Sequence, residues 1–525
     1  MPDTSCDKTL PSLGELESAR LSRPRYQLTI VFHPDLARIG ERAALSFAAA
    51  QAEVVGRSSP VFSRPGESTV TCALDDPYIS RCAFVIEQAQ GGLRLQRESV
   101  ASRCRVAGRD LVDALYLDGE ELAAGVPLLL AHSIVLMLRC VTGEQPGACA
   151  DCGMIGGSEA LYHLREQVLR AASSDADVLL LGETGTGKEL VAGAIHHHSR
   201  RAARPMISVN MAAVPAALAA ASLFGASRGA YTGAARSQPG YFQQAEGGCL
   251  FLDEVGDTPE EVQPLLLRAL QEREVQVVGG ELRRIDVRVI SATDVQLDDP
   301  DKLFRAALRH RLGALELQLP ALRDHPEDIG ELLLHFLRAA LVKEASQLQL
   351  PNLDAAAIEV ARWADLFYAF ARYPWPGNVR QLGHFAARVV LAGGSQPVIP
   401  EELRSALRAH SASAQSEPPA QESGVAEVAK SRRRLVDIAE AEFREVMQDC
   451  EFEIATVAQA LGVSRQSVYR RIQVSPDFRL AGDVPEVELQ RSLRRCDGDL
   501  REVARDLRIS HSALRARLRN TGPTA

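Results

Sequence analysis

The chain has 525 residues, which is too long for a single hydrophobic core and predicts three or more domains. Hydrophobic residues make up 46% of it and charged residues 24%, as in an ordinary soluble protein. The net charge of −9 argues against a protein that coats nucleic acid over its whole surface, but it leaves room for a local basic module.

The N-terminus lacks the charged-then-apolar pattern of a signal peptide, and no apolar run approaches the roughly 18–20 residues that span a bilayer. We therefore expect a cytoplasmic protein. Ten cysteines scattered through a long chain fit reduced thiols better than a disulfide framework. Cys149 and Cys152 form one close pair, which is half a zinc site, and we interpret them as incidental thiols.

Residues 1–25 are predicted to be a disordered tail, and residues 26–142 consist of short strands separated by turn residues. The clearest predicted strands are 26–32, 68–74 and 134–140. Arg57, which follows a glycine, and the pair Ser80-Arg81 fall in predicted loops. An arginine fork with a hydroxyl is chemically suited to a dianionic phosphate.

These loop residues resemble those of a forkhead-associated (FHA) domain, a β-sandwich that binds phosphothreonine peptides. The resemblance implies phosphate contacts from Arg57 and Ser80, with Arg81 as a third contact. Two positions depart from the family pattern, because Ala83 replaces a histidine and Asp118 replaces an asparagine. A sandwich with only a regulatory or oligomerisation role is the alternative.

From 154 to 320, hydrophobic runs alternate with helical patterns, which predicts a parallel sheet covered by helices. A buried strand at 177–181 leads into Gly-Glu-Thr-Gly-Thr-Gly-Lys and then a helix. This is the context of a P-loop, whose backbone N–H groups cradle phosphates and whose lysine reaches the β and γ oxygens. The predicted nucleotide-binding residues are Gly182, Glu183, Thr184, Gly185, Thr186, Gly187, Lys188 and Glu189.

A second apolar strand ends in Asp253-Glu254, the Walker B pattern. We expect Asp253 to hold the shell of a Mg²⁺ ion and Glu254 to polarise the attacking water. The two motifs together predict hydrolysis of Mg-ATP. Consecutive histidines at 196–198 point in different directions on a helix, and we interpret them as helix surface.

Between the two nucleotide motifs lies Gly-Ala-Tyr-Thr-Gly-Ala, which suits a mobile loop tip because glycine disfavours a helix interior by about 1 kcal/mol. The order of motifs over 154–400 resembles the AAA+ domain of bacterial enhancer-binding proteins, the activators of sigma-54 RNA polymerase. In that family this loop contacts sigma-54, with phenylalanine where tyrosine stands here. The residues implied for that contact are Gly229, Ala230, Tyr231, Thr232, Gly233 and Ala234.

The same resemblance assigns further roles. Asn210 matches the asparagine that couples the Walker B glutamate to the loop, and Thr293-Asp294 lies at the sensor I position. Arg380 would reach the nucleotide from a helical lid at 321–407.

Arg305 and Arg311 match paired arginine fingers that reach the nucleotide of a neighbouring subunit, although Ala307 replaces the usual acidic residue of that segment. A subunit cannot supply these arginines to itself, so the resemblance implies a closed ring, which is a hexamer in this family.

After a predicted flexible linker at 408–432, the region 433–525 repeats itself. Residues 454–472 align with 500–518, each as a short helix, a turn and a basic second helix. This resembles a doubled Fis-type helix-turn-helix, with a helical dimerisation hairpin as the alternative for at least one copy. The predicted DNA-binding residues are Arg465, Gln466, Arg470, Arg471, Ser510, His511, Ser512, Arg515 and Arg517.

The predicted architecture is multidomain: an all-β FHA-like sandwich, a linker at 143–153, an α/β AAA+ P-loop ATPase with a helical lid, and an all-α DNA-binding region. The predicted function is an ATP-driven activator that binds DNA upstream of a promoter and remodels sigma-54 RNA polymerase, gated by a phosphothreonine protein. The alternatives are a repressor or scaffold without remodelling, and an AAA+ remodeller of another protein.

Overall fold

The computed structural model describes residues 25–47, 52–64, 71–98, 100–141, 150–230, 236–294, 304–344, 346–392, 394–414, 486–496 and 500–510, with isolated positions between 443 and 514. The chain divides into two compact units, Met1–Glu417 and Pro418–Ala525. Within the described ranges, no helix combines the length and apolar character needed to cross a bilayer.

The larger unit begins with two antiparallel sheets, which we call the sandwich. Its elements are β1 (Arg25–Phe32), β2 (Arg42–Leu45), β3 (Glu53–Val55), β4 (Phe84–Ala89), β5 (Gly92–Gln96), β6 (Cys104–Val106), β7 (Arg109–Asp110), β8 (Ala114–Asp118), α1 (Gly119–Ala124), β9 (Val126–Leu130) and β10 (Ile134–Val141). One sheet has the order β2-β1-β10-β9-β6-β7 and the other β3-β4-β5-β8. β1 and β10 cover the strands predicted at 26–32 and 134–140.

The strand predicted at 68–74 is wrong for the part of it that the structure describes. There, Cys72 pairs only in an isolated bridge with Phe62. The guanidinium of Arg38 instead donates to the three carbonyls from Cys72 to Leu74 at 2.8–3.2 Å. A charged side chain thereby satisfies backbone groups that would otherwise need a strand partner.

The middle of the larger unit is a parallel sheet in the order β12-β13-β16-β11-β17, with a separate hairpin β14-β15. The strands are β11 (Val178–Leu181), β12 (Met206–Asn210), β13 (Cys249–Asp253), β14 (Glu274–Gln276), β15 (Leu282–Arg284), β16 (Arg288–Thr293) and β17 (Leu315–Gln318). The helices are α2 (Glu159–Ser173), α3 (Lys188–His197), α4 (Ala216–Phe224), α5 (Tyr241–Gln244), α6 (Gln263–Glu272) and α7 (Ala306–Leu312).

The central strands are continuous apolar runs, as expected for parallel strands covered on both faces. This confirms the predicted α/β region. Because all five strands are parallel, the loops that follow β11, β12, β13 and β16 lie at one edge of the sheet, where ligands of open α/β folds bind.

A helical lid follows, formed by α8 (Ile329–Glu344), α9 (Ala357–Ala371), α10 (Asn378–Leu391) and α11 (Glu401–Ala414). The last helix continues past the boundary predicted at 407. Residues 321–328, which join β17 to α8, contain two short 3-10 turns, Leu322–Asp324 and Pro326–Asp328. We call residues 321–328 the junction segment.

Among its described residues, the smaller unit contains α12 (Glu486–Arg495), α13 (Leu500–Leu507) and two separate hydrophobic clusters. Each cluster takes its members from equivalent positions of the repeat: Val457, Leu461 and Val468 in the first, and Val503, Leu507 and Leu514 in the second. Each copy of the repeat therefore has a small core of its own, which supports the internal duplication.

Candidate nucleotide site

The P-loop lies between the end of β11 and the start of α3. Gly185 and Gly187 have φ values of +83° and +99°, which residues with a side chain rarely adopt. Gly187 precedes α3 and provides no side-chain cap, so the amides of the first turn are available to an anion. The buried Lys188 ammonium donates to the carbonyl of Gly182 at 2.8 Å.

The Walker B acids follow β13, beside the end of β12. Asn210 and Asp253 are partners across these strands, and Asn210 Nδ2 lies 3.5 Å from Asp253 Oδ2. Glu254 adopts a left-handed backbone with φ 50°. Burial raises the pKa of Glu254; the charge of Lys188 opposes this rise, and that of Asp294 adds to it.

Asp294 connects the end of β16 to the P-loop. The Thr184 hydroxyl donates to Asp294 Oδ2 at 2.6 Å, and this bond is the main reason that the pKa of Asp294 is lowered. Thr293 is buried, and its carbonyl accepts from the amide of Gly182 at 3.3 Å. Both residues of the predicted sensor I pair thus contact the loop, Asp294 through its side chain and Thr293 through its backbone.

Two side chains that contact Glu183 of the P-loop were not predicted from the sequence. The Arg323 guanidinium donates to both carboxylate oxygens at 2.9 and 2.5 Å. Asn378 Nδ2 donates to Glu183 Oε2 and to the Thr184 carbonyl, each at 3.1 Å. The arginine, followed by the amide, lowers the pKa of Glu183 to about 2. Asn378 lies two residues before Arg380, the residue of the lid that the sequence did predict at this site, whereas no sequence pattern pointed to Arg323.

The lid closes the other side of the site. The Arg380 amide donates to the Gly185 carbonyl at 3.2 Å, and a Cβ at Gly185 would lie 2.5 Å from the Gly377 carbonyl oxygen. The cavity between lid and loop has a volume of about 450 Å³. Its lining includes Thr184, Gly185, Gly187, Lys188, Glu189, Asp253, Glu254, Arg380 and His384.

The two predicted finger arginines differ in their surroundings. Arg305 is exposed at the start of α7. Arg311 is half-buried, and its guanidinium donates to the Leu270 carbonyl at 3.1 and 2.8 Å.

Only the base of the predicted sigma-54 loop is described. The amide of Ala230 donates to the Ser227 carbonyl at 3.1 Å, and Ser227 in turn donates its amide to the Val278 carbonyl at 2.9 Å. The loop base therefore rests on the turn of the β14-β15 hairpin. Tyr231, Thr232, Gly233 and Ala234 lie outside the described residues.

The predicted phosphate-binding residues of the sandwich are brought together. The Arg57 amide donates to the Ser80 carbonyl at 3.0 Å, and Arg81 is exposed beside it. The Ser80 hydroxyl pairs with that of Ser102 at 2.8 Å. Asp118 has a structural role, because its carboxylate accepts from the Glu121 amide and caps α1.

Of the predicted DNA-binding residues, the structure describes two. Ser510 is buried, and Arg471 is half-buried with its guanidinium 4.7 Å from the centre of the Phe443 ring, a cation–π contact. Arg465, Gln466, Arg470, His511, Ser512, Arg515 and Arg517 lie outside the described residues.

Comparison with protein-family models now adds to this geometry. Residues 154–318 match the sigma-54 interaction domain, and residues 323–420 match the lid domain of AAA+ ATPases. The central region of this chain is a sigma-54 interaction domain. The predicted AAA+ ATPase domain with its helical lid is therefore confirmed, and the domain is homologous to those of ATP-hydrolysing activators.

Curated relatives of the sigma-54 interaction domain are transcription regulators. The nitric oxide reductase transcription regulator NorR1 of Cupriavidus necator is 43% identical over 260 residues, 48% of each chain. The formate hydrogenlyase transcriptional activator of Salmonella typhimurium is 46% identical over 241 residues, 45% of this chain and 33% of that protein.

The regulator NtrC of Rhizobium meliloti is 39% identical over 258 residues, 49% of this chain and 51% of that protein. This chain thus spans a third to about half of the length of these relatives. A crystal structure of NtrX from Brucella abortus in complex with ADP is 28% identical, covers 62% of this chain and 70% of its own, and has a TM-score of 0.42.

Proposed function

We propose that this protein is an ATP-dependent transcriptional activator that remodels closed complexes of sigma-54 RNA polymerase from an upstream DNA site. One observation carries the proposal: the P-loop, the Walker B acids and Arg380 line a single cavity between the sigma-54 interaction domain and the AAA+ lid. The relatives, whose names describe transcription regulators and activators, support the same function.

The residues of the cavity fit Mg-ATP. A volume of about 450 Å³ lies within the range of ligand pockets, and the cavity has a cationic side at Lys188 and an acidic side at Asp253 and Glu254. In this proposal Lys188 binds the β and γ phosphate oxygens, Asp253 holds Mg²⁺ and Glu254 orients the attacking water. The metal ion would neutralise charge on the transferring phosphoryl group.

We further propose a head-to-tail ring of six subunits, in which an arginine of one subunit reaches the nucleotide of the next. Arg305 is better placed for this role than Arg311, because Arg305 is exposed whereas Arg311 is engaged with the Leu270 carbonyl of its own subunit. Arg311 would then hold α7 in position.

The outer regions have roles in the same proposal. The sandwich would sense a phosphothreonine protein as an FHA-like module through Arg57, Ser80 and Arg81, whose loops are in contact. Calorimetry with a library of phosphothreonine peptides tests this, and a library without a single binder would contradict it.

The two repeats of the smaller unit would bind double-stranded DNA as helix-turn-helix modules, with affinity that falls as salt rises.

Promoter opening in vitro tests the main proposal. Wild-type protein with ATP should open a sigma-54 promoter. Tyr231→Ala should lose opening and keep ATP hydrolysis, because it changes only the tip of the contact loop. Glu254→Gln should lower hydrolysis by at least about 100-fold, since the amide cannot act on the attacking water. Wild-type protein that hydrolyses ATP but opens no promoter would contradict the proposal in favour of a scaffold or another remodeller.

A further inference from the structure

The sandwich and the lid share one hydrophobic core. Val31, Phe32 and Met137, on strands β1 and β10, are buried in the same cluster as Leu333 and Phe367 of the lid. The rings of Phe32 and Phe367 are 4.9 Å apart. The end of β1 therefore has no solvent-exposed face, since one side faces the core of the sandwich and the other faces the lid.

Glycines lie where the sandwich and the ATPase approach most closely. A Cβ at Gly330, in α8, would lie 2.4 Å from the Val31 carbonyl oxygen of β1. A Cβ at Gly125 would lie 2.7 Å from Cγ of Pro326 in the junction segment. These distances leave no room for a side chain at either glycine, so the two surfaces are closely packed against each other here.

Charged side chains fix the sandwich to the junction segment. Both Nη1 contacts of Arg139 go to the carboxylate of Glu327, at 2.9 and 2.7 Å, and Nη2 donates to the Asp324 carbonyl at 2.5 Å. The Glu327 side chain is only 2% exposed. Removing one partner would leave an unpaired charge in a dry contact, which is far costlier than losing a surface ion pair.

The opposite side of the junction segment contacts the nucleotide loop. Arg323, next in sequence to the Asp324 that Arg139 binds, holds both oxygens of Glu183. Leu322 donates its amide at 2.9 Å to Asn378 Oδ1, and Asn378 also holds Glu183. Three consecutive residues of the junction segment thus lie between the sandwich and the P-loop.

We propose that the sandwich is a fixed part of the ATPase subunit that positions the P-loop through the junction segment, with Arg323 as the positioning residue. The inference deepens the proposed function, because it rests on nucleotide binding at this P-loop. A signal received by the sandwich reaches the nucleotide by changing how Arg139 holds the junction segment. Regulation then acts on affinity for nucleotide within each subunit, before any contact with sigma-54.

The test is the affinity of the full chain for a fluorescent ADP analogue. Arg323→Ala should weaken binding about five-fold, the effect of losing a partly exposed ion pair beside the phosphates. Arg139→Ala should weaken it in the same direction, about three-fold, although Arg139 contacts no residue of the P-loop. The affinity of the double variant for the ADP analogue should be at most about five-fold weaker than that of wild type, since both changes act through the same contact.

Matched controls are Arg94→Ala on the exposed face of β5 and Arg338→Ala on the exposed face of α8, which should leave affinity unchanged. If Arg139→Ala does not fold, Glu327→Gln replaces it. That change keeps the size of the side chain and removes the charge that the Arg139 guanidinium binds at 2.9 and 2.7 Å, and it should weaken ADP binding in the same direction.

Unchanged affinity in Arg139→Ala or in its replacement, or fully additive effects in the double variant, would overturn the inference. Wild-type protein that binds ADP but opens no promoter would overturn only the proposed function. Wild-type protein that binds no ADP would overturn both.

Discussion

The backbone conformation of Glu254, at the candidate nucleotide site, is strained. A residue with a side chain at φ 50° is held in a sparsely populated conformation, at a cost of the order of 1–3 kcal/mol. The left-handed turn directs the chain from β13 into the 3-10 turn Val255–Asp257 immediately after Glu254. The Walker B pattern predicted the acid from sequence, but this backbone conformation has no signature in residue type.

Glu331, on α8, faces the sandwich and is the subject of the prediction at the residue scale. Burial, followed by the charge of Asp328, raises the pKa of Glu331 above its ordinary value of 4.5, against the opposing charges of Arg42, Arg64 and Arg165. A raised pKa means that the fold favours the protonated acid. Stability is therefore lost as pH rises from about 4.5 through the raised pKa.

Glu331→Gln should remove this loss. We expect the variant to be more stable than wild type at pH 7, by about 1 kcal/mol, and the difference to vanish towards pH 4.5. Thermal unfolding across pH 4–8 measures this difference. The control is Glu260→Gln at an exposed position, which should leave stability unchanged both at pH 4.5 and at pH 7. A variant less stable than wild type at pH 7 would show that the Glu331 charge is favourable in the fold.

Whole helices and strands could be predicted where the pattern that determines them lies within one short stretch of the sequence. The strand, glycine loop and helix at 178–197 form one continuous sequence pattern, and the apolar run of β13 is followed directly by Asp253 and Glu254. The described part of the strand predicted at 68–74 was wrong, because a distant arginine, Arg38, binds the carbonyls from Cys72 to Leu74. Arg323 was missed for the same reason, since its partner lies 140 residues away in the chain.

The β14-β15 hairpin supports the base of the predicted sigma-54 loop, and this contact can be tested. Gly279 lies in the turn of this hairpin and has φ +66°. A Cβ added there would lie 2.9 Å from Ala230 Cβ. Gly279→Ala should displace the loop base and abolish promoter opening while ATP hydrolysis continues. The matched control is Gly247→Ala, which has φ +72° but meets nothing within 4 Å, so it carries the same backbone strain of about 1–2 kcal/mol without the collision.

Equal loss of opening in both glycine variants would assign the effect to backbone strain in general. Loss of hydrolysis in Gly279→Ala would mean that the hairpin acts on the nucleotide site, and not only on the loop.

At the scale of the larger unit, the shared core predicts that the sandwich and the ATPase unfold together. The two tryptophans of the chain, Trp363 and Trp375, are both buried in the lid, whereas Met137 belongs to the sandwich. Met137→Ala should lower the free energy of unfolding by about 2–5 kcal/mol and shift the urea transition of tryptophan fluorescence. Leu138→Ala, whose side chain faces the core of the sandwich, should shift the same transition.

A fluorescence transition that stays in place in both variants would mean that lid and sandwich unfold independently. The sequence predicted a sandwich joined to the ATPase by a linker at 143–153, because composition reports on the connection and not on the surfaces that meet. The apolar face of β1 gave no sign of which partner would cover it.

The glycines at the sandwich contact also bear on how such proteins can be recombined. Regulators assembled as cassettes can exchange an input module at a linker, provided that the module makes few contacts with its neighbour. Here an exchange at 143–153 would leave Gly330 and Pro326 facing a foreign surface and would uncover the ring of Phe367. A working chimera must carry the junction segment and α8 together with the sandwich, and substitutions on the two sides of this contact should have accumulated in pairs.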